Sequence, residues 1–146
     1  MSSTISANEL TPILVTGSHR SGTTWVGKML AADADTAYIS EPLNVLRRPG
    51  VYRTPVKYWY TYITDENGAD YLPAFNELLN FQYHTMHEVL SLRSFKDFLR
   101  MGRDFHTFFI GSMHGQRALI KDPFAVFSSP WFEKQLNCQV VITVRH

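Results

Sequence analysis

Apolar residues along the chain fall into two patterns, short continuous runs and stripes at helical spacing, and the two alternate. Residues 11–16, TPILVT, are an apolar run cut off by Gly17, which predicts a buried strand ended by a sharp turn. Trp25, Val26, Met29 and Leu30 then recur at helical spacing, and Gly27 is the one break in residues 23–32, so a helix is expected directly after the turn. Residues 37–40 and 118–121 predict a second and a third strand, the third ended by Asp122-Pro123. Residues 139–144, QVVITV, are apolar on both faces and β-branched, which predicts a central strand of a parallel sheet covered on each side. Before them, Ser129 predicts an N-cap with Pro130 at the first helical position and Trp131, Phe132 and Leu136 on the buried side.

Between these runs, residues 42–116 hold no strand-like stretch of comparable strength and predict a mainly helical insertion. Phe75, Leu78 and Leu79 form one apolar stripe; Phe95, Phe98 and Leu99 form another behind Ser94, an expected N-cap with Asp97 three residues on. Strand, helix, strand, helical insertion, strand, helix, strand is an α/β pattern. The whole of 1–146 reads as one unit: 11–41 is a first strand-helix-strand segment, 42–116 the insertion, and 117–146 the third and fourth strands.

Composition narrows the function classes. A chain of 146 residues with 45% apolar and 18% charged residues is sized for about one domain and argues against disorder. A net charge of +1 lacks the broad basic footprint of a general nucleic-acid binder, yet leaves room for a local patch serving one anionic ligand. Cys138 is the single cysteine, so no internal disulfide is possible, and no Cys/His pair has structural zinc spacing. The first ten residues, MSSTISANEL, do not read as a secretory leader, and no apolar run approaches the ~18 residues of a membrane span. A cytoplasmic protein with a small-molecule partner is the expectation.

The candidate chemistry begins at residues 15–25, VTGSHRSGTTW, where a glycine-rich turn joins a buried strand to a helix. Gly17 and Gly22 let the backbone bend so that its N–H groups converge, and a helix N-terminus adds partial positive charge, so the loop can hold an anion. The alternative is a turn that only caps a helix. Gly17-x4-Gly22 followed by Thr23-Thr24 matches the P-loop frame, but Thr23 stands at the Walker lysine position and the cation, Arg20, precedes the second glycine. A nucleotide kinase needs that lysine against its phosphates, which disfavours a P-loop kinase-like reading without removing it.

Arg20-Ser21-Gly22-Thr23-Thr24-Trp25 resembles the 5′-phosphosulfate loop of the sulfotransferases that use 3′-phosphoadenosine 5′-phosphosulfate (PAPS). The strand running into Arg145-His146 resembles the start of that family's 3′-phosphate motif, and ISEPL (39–43) and LIKDPFAVFSSPW (119–131) resemble segments of its bacterial and carbohydrate-type members. The resemblance implies a three-layer fold like that of P-loop nucleotide hydrolases, and transfer of a sulfuryl group to a hydroxyl of a carbohydrate or small-molecule acceptor, with no metal. It further implies that His19, Arg20, Ser21, Gly22, Thr23, Thr24 and Trp25 hold the donor, with Trp25 toward the adenine, and that Arg145 contacts the 3′-phosphate. In the family a serine and a large C-terminal part follow that arginine, so the chain corresponds to an N-terminal half, with the remainder expected from a longer chain or a partner.

Sulfuryl transfer requires in-line placement of the reactants and stabilisation of charge on the leaving phosphate. By resemblance Lys121 stabilises the bridging oxygen, Glu41 is the preferred base with its pKa raised by partial desolvation, and Asp122 is a second candidate base. Glu41 reads equally as a carboxylate at a helix start, and Lys121-Asp122 as a salt bridge or turn cap. His84 and His87 beside Glu88 would place two metal ligands on one helix face, without a third. Arg47, Arg48, Arg53 and Lys57 form a basic run without a nearby acid, interleaved with Tyr52, Tyr58, Trp59 and Tyr60; it would grip a sugar or anionic acceptor, or form a solvated loop with its aromatics inward. Cys138 is expected buried as a small apolar residue. A non-catalytic remnant or interaction protein is the remaining alternative.

Overall fold

Each of the four apolar runs becomes a strand: β1 (Ile13–Gly17), β2 (Thr36–Ser40), β3 (Arg117–Lys121) and β4 (Gln139–Thr143). A computed structural model describes residues 10–46 and 48–145. The strands form one all-parallel sheet in the order β2-β3-β1-β4, with Ser40 opposite Lys121, Val15 opposite Lys121 and Gly17 opposite Thr143. Among the described residues five α-helices accompany it: α1 (Thr23–Leu30), α2 (Leu72–Leu79), α3 (Thr85–Ser91), α4 (Phe95–His114) and α5 (Ser129–Leu136), with 3₁₀ turns at Gly68–Asp70 and Pro123–Ser128.

Alternation along the strands sends side chains to two cores. Leu14, Ala37, Ile39, Ala118 and Ile120 meet Phe75 and Leu78 of α2 and Trp131, Phe132 and Leu136 of α5 on one face. Ile13, Val15 and Leu119 meet Val26 and Ala31, from α1 and its C-terminal end, on the other. Helices therefore cover both faces of the sheet, as a parallel arrangement requires. Phe75 is fully buried, 4.8 Å from the Phe132 ring and 4.6 Å from that of Tyr52. Burying each such ring contributes about 1.5–3 kcal/mol.

Among the described residues the strongest apolar run does not take a central position. QVVITV forms β4 at one edge of the sheet and pairs with β1, and its outer residues stay half covered, with Ile142 exposed. The central strands are β1 and β3, whose ILVTG and RALIK segments are buried almost throughout. Sequence records that a strand is apolar; which neighbours it acquires depends on the crossovers.

Four helical expectations change. In α1 the buried residues are Thr23 and Gly27, with Val26 beside them against the sheet, while Trp25, Met29 and Leu30 are exposed. Gly27 allows this close seating, since a Cβ there would lie 3.0 Å from the Tyr38 ring and 3.2 Å from Lys121 Cγ. In α4, Ser94 caps as expected by accepting from the Asp97 N–H at 3.2 Å, but Phe95, Phe98 and Leu99 are exposed and the buried side is Asp104, Phe108 and Gly111. Residues 42–46 and 48–67 are irregular rather than helical. At α5, Ser128 takes the N-cap position ahead of Ser129, and its hydroxyl accepts from Ile63 N–H and donates to the Thr61 carbonyl, both at 2.8 Å, which ties the irregular segment to the helix start.

Candidate functional site

Chain direction concentrates the candidate residues at one end of the sheet. From β1 the chain crosses through α1 to β2 on one side, and from β3 it crosses through α5 to β4 on the other. The segments leaving adjacent strands β1 and β3 thus diverge, which opens a crevice beyond their carboxyl ends. The glycine-rich loop leaves β1 there, Lys121 and Asp122 end β3, Glu41 follows β2, and Arg145 follows β4. Distant stretches of sequence meet at this edge.

The loop is shaped by three backbone features. Ser21 N–H donates to the Ser18 carbonyl at 3.1 Å, Arg20 adopts φ 62°, and Gly22 at φ 91° forms the N-cap of α1. No side chain caps that helix, no acid lies in its first turn, and a Cβ on Gly22 would meet nothing within 4 Å. Open space therefore fronts the positive end of a helix dipole, the arrangement that suits an anion. His19, Arg20, Thr24 and Trp25 are exposed, Thr23 is buried, and Ser21 is half-buried. Neither Arg20 nor Arg145, which is also exposed, forms an ion pair among the described residues.

Thr143, unremarked in the sequence because a threonine in a β-branched run reads as strand, clamps the loop. Ser21 Oγ lies 2.6 Å from Thr143 Oγ1, which donates onward to the Thr16 carbonyl at 3.3 Å. A Cβ on Gly17 would fall on the carbonyl and hydroxyl oxygens of Thr143, so the β1–β4 approach requires glycine.

Beside the loop, the buried Lys121 ammonium pairs with the Glu41 carboxylate. Asn44 Nδ2 donates to the second Glu41 oxygen at 2.9 Å, and Glu41 N–H donates to the Lys121 carbonyl at 2.8 Å. Glu41 sits at φ 51°, a strained conformation for a residue with a Cβ. Burial pushes its carboxyl up, but hydrogen bonds from Lys121 and Asn44, with the Lys121 charge, outweigh that and hold it below the usual range. The expected upward shift is therefore reversed, because the desolvating environment also supplies the counter-charge.

Asp122 is fully buried and accepts from Leu43 N–H at 2.7 Å and Phe124 N–H at 2.9 Å. It caps the turn after β3 and fastens the segment after Glu41 to it. Burial raises its carboxyl to about 7, against the pull of those two bonds. Tyr38, which sequence reasoning passed over, comes from β2 with its hydroxyl by Ser40 and Thr24; burial raises its phenol and the two hydroxyls oppose the shift. Tyr38 links the first turn of α1 to the surroundings of Glu41.

Other sequence candidates lie elsewhere or take partners. The basic run has acids after all, contributed by distant helices: Arg48 pairs with Asp104 at 3.3 Å and Arg53 with Glu77 at 3.0 Å. Arg47 and His146 lie outside the described residues. Tyr52 is buried and Tyr58 exposed, while Trp59 and Tyr60 flank Phe124 at 4.7 and 5.3 Å, just past Asp122-Pro123. His84 bonds Glu77 at 2.9 Å and meets His87 edge-on, and the described residues contain no group of three metal-ligating side chains. Cys138 is buried, which pushes its thiol up to about 12. A groove of about 590 Å³ lies at the opposite, amino end of the strands, lined by Pro12, Asn76, Asn80, Gln116 and Asn137, and contains none of the candidate residues. No helix among the described residues is long and apolar enough to cross a membrane.

Comparison with protein-family models, curated proteins and solved structures finds no match to this chain. Its class rests on architecture: an α/β protein with an all-parallel four-stranded sheet and an open, glycine-lined helix N-terminus at the strand ends.

Proposed function

We propose that this chain carries the donor site of a PAPS-dependent sulfotransferase acting on a hydroxyl of a carbohydrate or small-molecule acceptor. The observation that carries the reading is the open N-terminus of α1, fronted by Gly22 and the exposed Arg20, next to the Lys121–Glu41 pair. Under this reading the fold is of the P-loop type, with strand order β2-β3-β1-β4 in its favour. The loop suits a doubly anionic phosphosulfate: its amides and the Ser21, Thr23 and Thr24 hydroxyls are donors, Arg20 supplies charge, and Arg145 stands at the same sheet end for a second phosphate.

When bound, the donor supplies an activated sulfuryl group and a phosphate as leaving group. Glu41 is ionised at neutral pH and is thus in the form that accepts the acceptor hydroxyl's proton. Lys121 is held at the strand end by that same carboxylate, ready to face developing phosphate charge. Asp122 positions both by fastening the segments that follow them, through the Leu43 and Phe124 N–H groups.

Calorimetric titration of the purified chain with 3′,5′-adenosine bisphosphate, and separately with ATP, tests the reading. Preference for the bisphosphate, abolished in Arg20→Ala, is the expected result. Preference for ATP would turn the assignment toward a P-loop kinase, and binding of neither nucleotide by the folded chain would favour a non-catalytic role.

A further inference from the structure

Helix α4 directs Asp104, Phe108 and Gly111 into the body of the molecule and leaves Phe95, Phe98, Leu99, Phe105, Phe109 and Met113 outside, each 45–75% exposed. These outer positions follow one another at intervals of mostly three and four along a 20-residue helix, the spacing of a seam that a second helix covers. Two pairs of rings stack along it, Phe95 with Phe98 at 6.4 Å between centroids and Phe105 with Phe109 at 6.1 Å. Gly102 lies midway, seven residues from Phe95 and seven from Phe109, and a Cβ placed there would meet nothing within 4 Å.

We propose that this face is a homodimer interface, in which α4 of two copies cross antiparallel with Gly102 at the two-fold axis. An isologous contact needs one patch that is complementary to itself. The α4 stripe meets that condition because an axis at Gly102 sets Phe95 of one copy opposite Phe109 of the other and Leu99 opposite Phe105, with Phe98 facing His106. Glycine at the crossing lets the two backbones approach. At roughly 200 Å² for a large apolar residue, the six side chains expose about 690 Å², and two copies would bury up to about 1,400 Å² between them. That lies within the ~1,200–2,000 Å² of specific, stable interfaces. The stripe contains no Lys, Arg, Asp or Glu, so a charged partner gains nothing from it, whereas a second copy sets apolar side chains against apolar ones at Phe95–Phe109 and Leu99–Phe105, twice over. The inference is independent of the donor-site assignment.

Sedimentation equilibrium of the purified chain is the first test, and a monomer–dimer equilibrium is expected. Gly102→Lys adds a side chain in open space and a better helix former, so folding by circular dichroism is preserved while the dimer dissociation constant rises about tenfold or more. Cross-linking fixes the geometry. Under mild oxidation Gly102→Cys gives a disulfide-linked dimer, while Phe95→Cys alone does not, because the two copies of residue 95 would stand about 21 Å apart along the helices. A chain that stays monomeric at its highest soluble concentration, an unchanged equilibrium in Gly102→Lys, or cross-linking through Phe95→Cys in place of Gly102→Cys each overturns the proposal. Binding to neutral lipid vesicles without self-association overturns it as well and assigns the face to a membrane surface.

Discussion

Asp122 and Glu41 are neighbouring carboxyls with opposite shifts, and the contrast shows what sets an acid's character. Glu41 is half-buried but bonded to an ammonium and an amide, so its charged form wins. Asp122 has two backbone N–H partners but no solvent, and desolvation prevails. The sign of the linkage follows. Asp122 has a folded pKa of about 7 against an ordinary value of 3.8, so the folded state binds the extra proton between those values. Its contribution is complete below about pH 4 and is lost as pH rises through 7. The urea midpoint is expected to fall from pH 5 to 7.5, by an amount worth a few kcal/mol, and Asp122→Asn should flatten that slope. A midpoint that rises over this range would contradict the assignment. Glu41 acts oppositely, stabilising above its ordinary value of 4.5 and losing its contribution as pH falls through its depressed folded value.

At the scale of elements, the loop between β1 and α1 depends on contact with β4 as much as on its own glycines. Gly22 opens the helix N-terminus, and Gly17 makes room for Thr143, which the Ser21 hydroxyl then engages. Gly17→Ala is expected to cost about 1–3 kcal/mol by overpacking the β1–β4 junction and to weaken nucleotide binding with it. Denaturant unfolding beside calorimetric titration checks both. Stability lost with affinity intact would mean that the loop holds its shape without the strand behind it.

For the whole molecule, apolar surface is distributed unequally. One face of the sheet carries a large core around Phe75, Phe132 and Leu78, the other a small one around Val15 and Leu119 beneath α1, while the phenylalanines of α4 face outward. Identical chemistry therefore has different consequences by position. Phe75→Ala should lower unfolding stability by about 3–5 kcal/mol. Phe105→Ala, measured at a concentration where the chain is dilute, should change it by less than about 0.5 kcal/mol. Equal losses at both positions would show that α4 is buried in a way its exposure does not express.

The elements and much of the candidate site were legible along the chain because they are written in local chemistry. Apolar runs of strand length, the Ser94 cap, Pro123 ending the third strand, Pro130 at a helix start, and glycines flanking Arg20 each act within a few residues of themselves. Composition likewise bounded the size and charge of the molecule. The order of the strands was not local, so the most apolar run came to lie at the edge while ILVTG and RALIK took the centre. Which side of α1 and α4 faces inward was decided by what reaches them, with Gly27 admitting the sheet and Asp104 meeting Arg48. Pairing Lys121 with Glu41 across eighty residues, and Ser21 with Thr143 across more than a hundred, required the parallel crossovers to bring four strand ends to one edge. Tertiary structure decided there which charges are neutralised and which donors stay free, because desolvation and Coulomb energy depend on distance in space and not on separation along the chain.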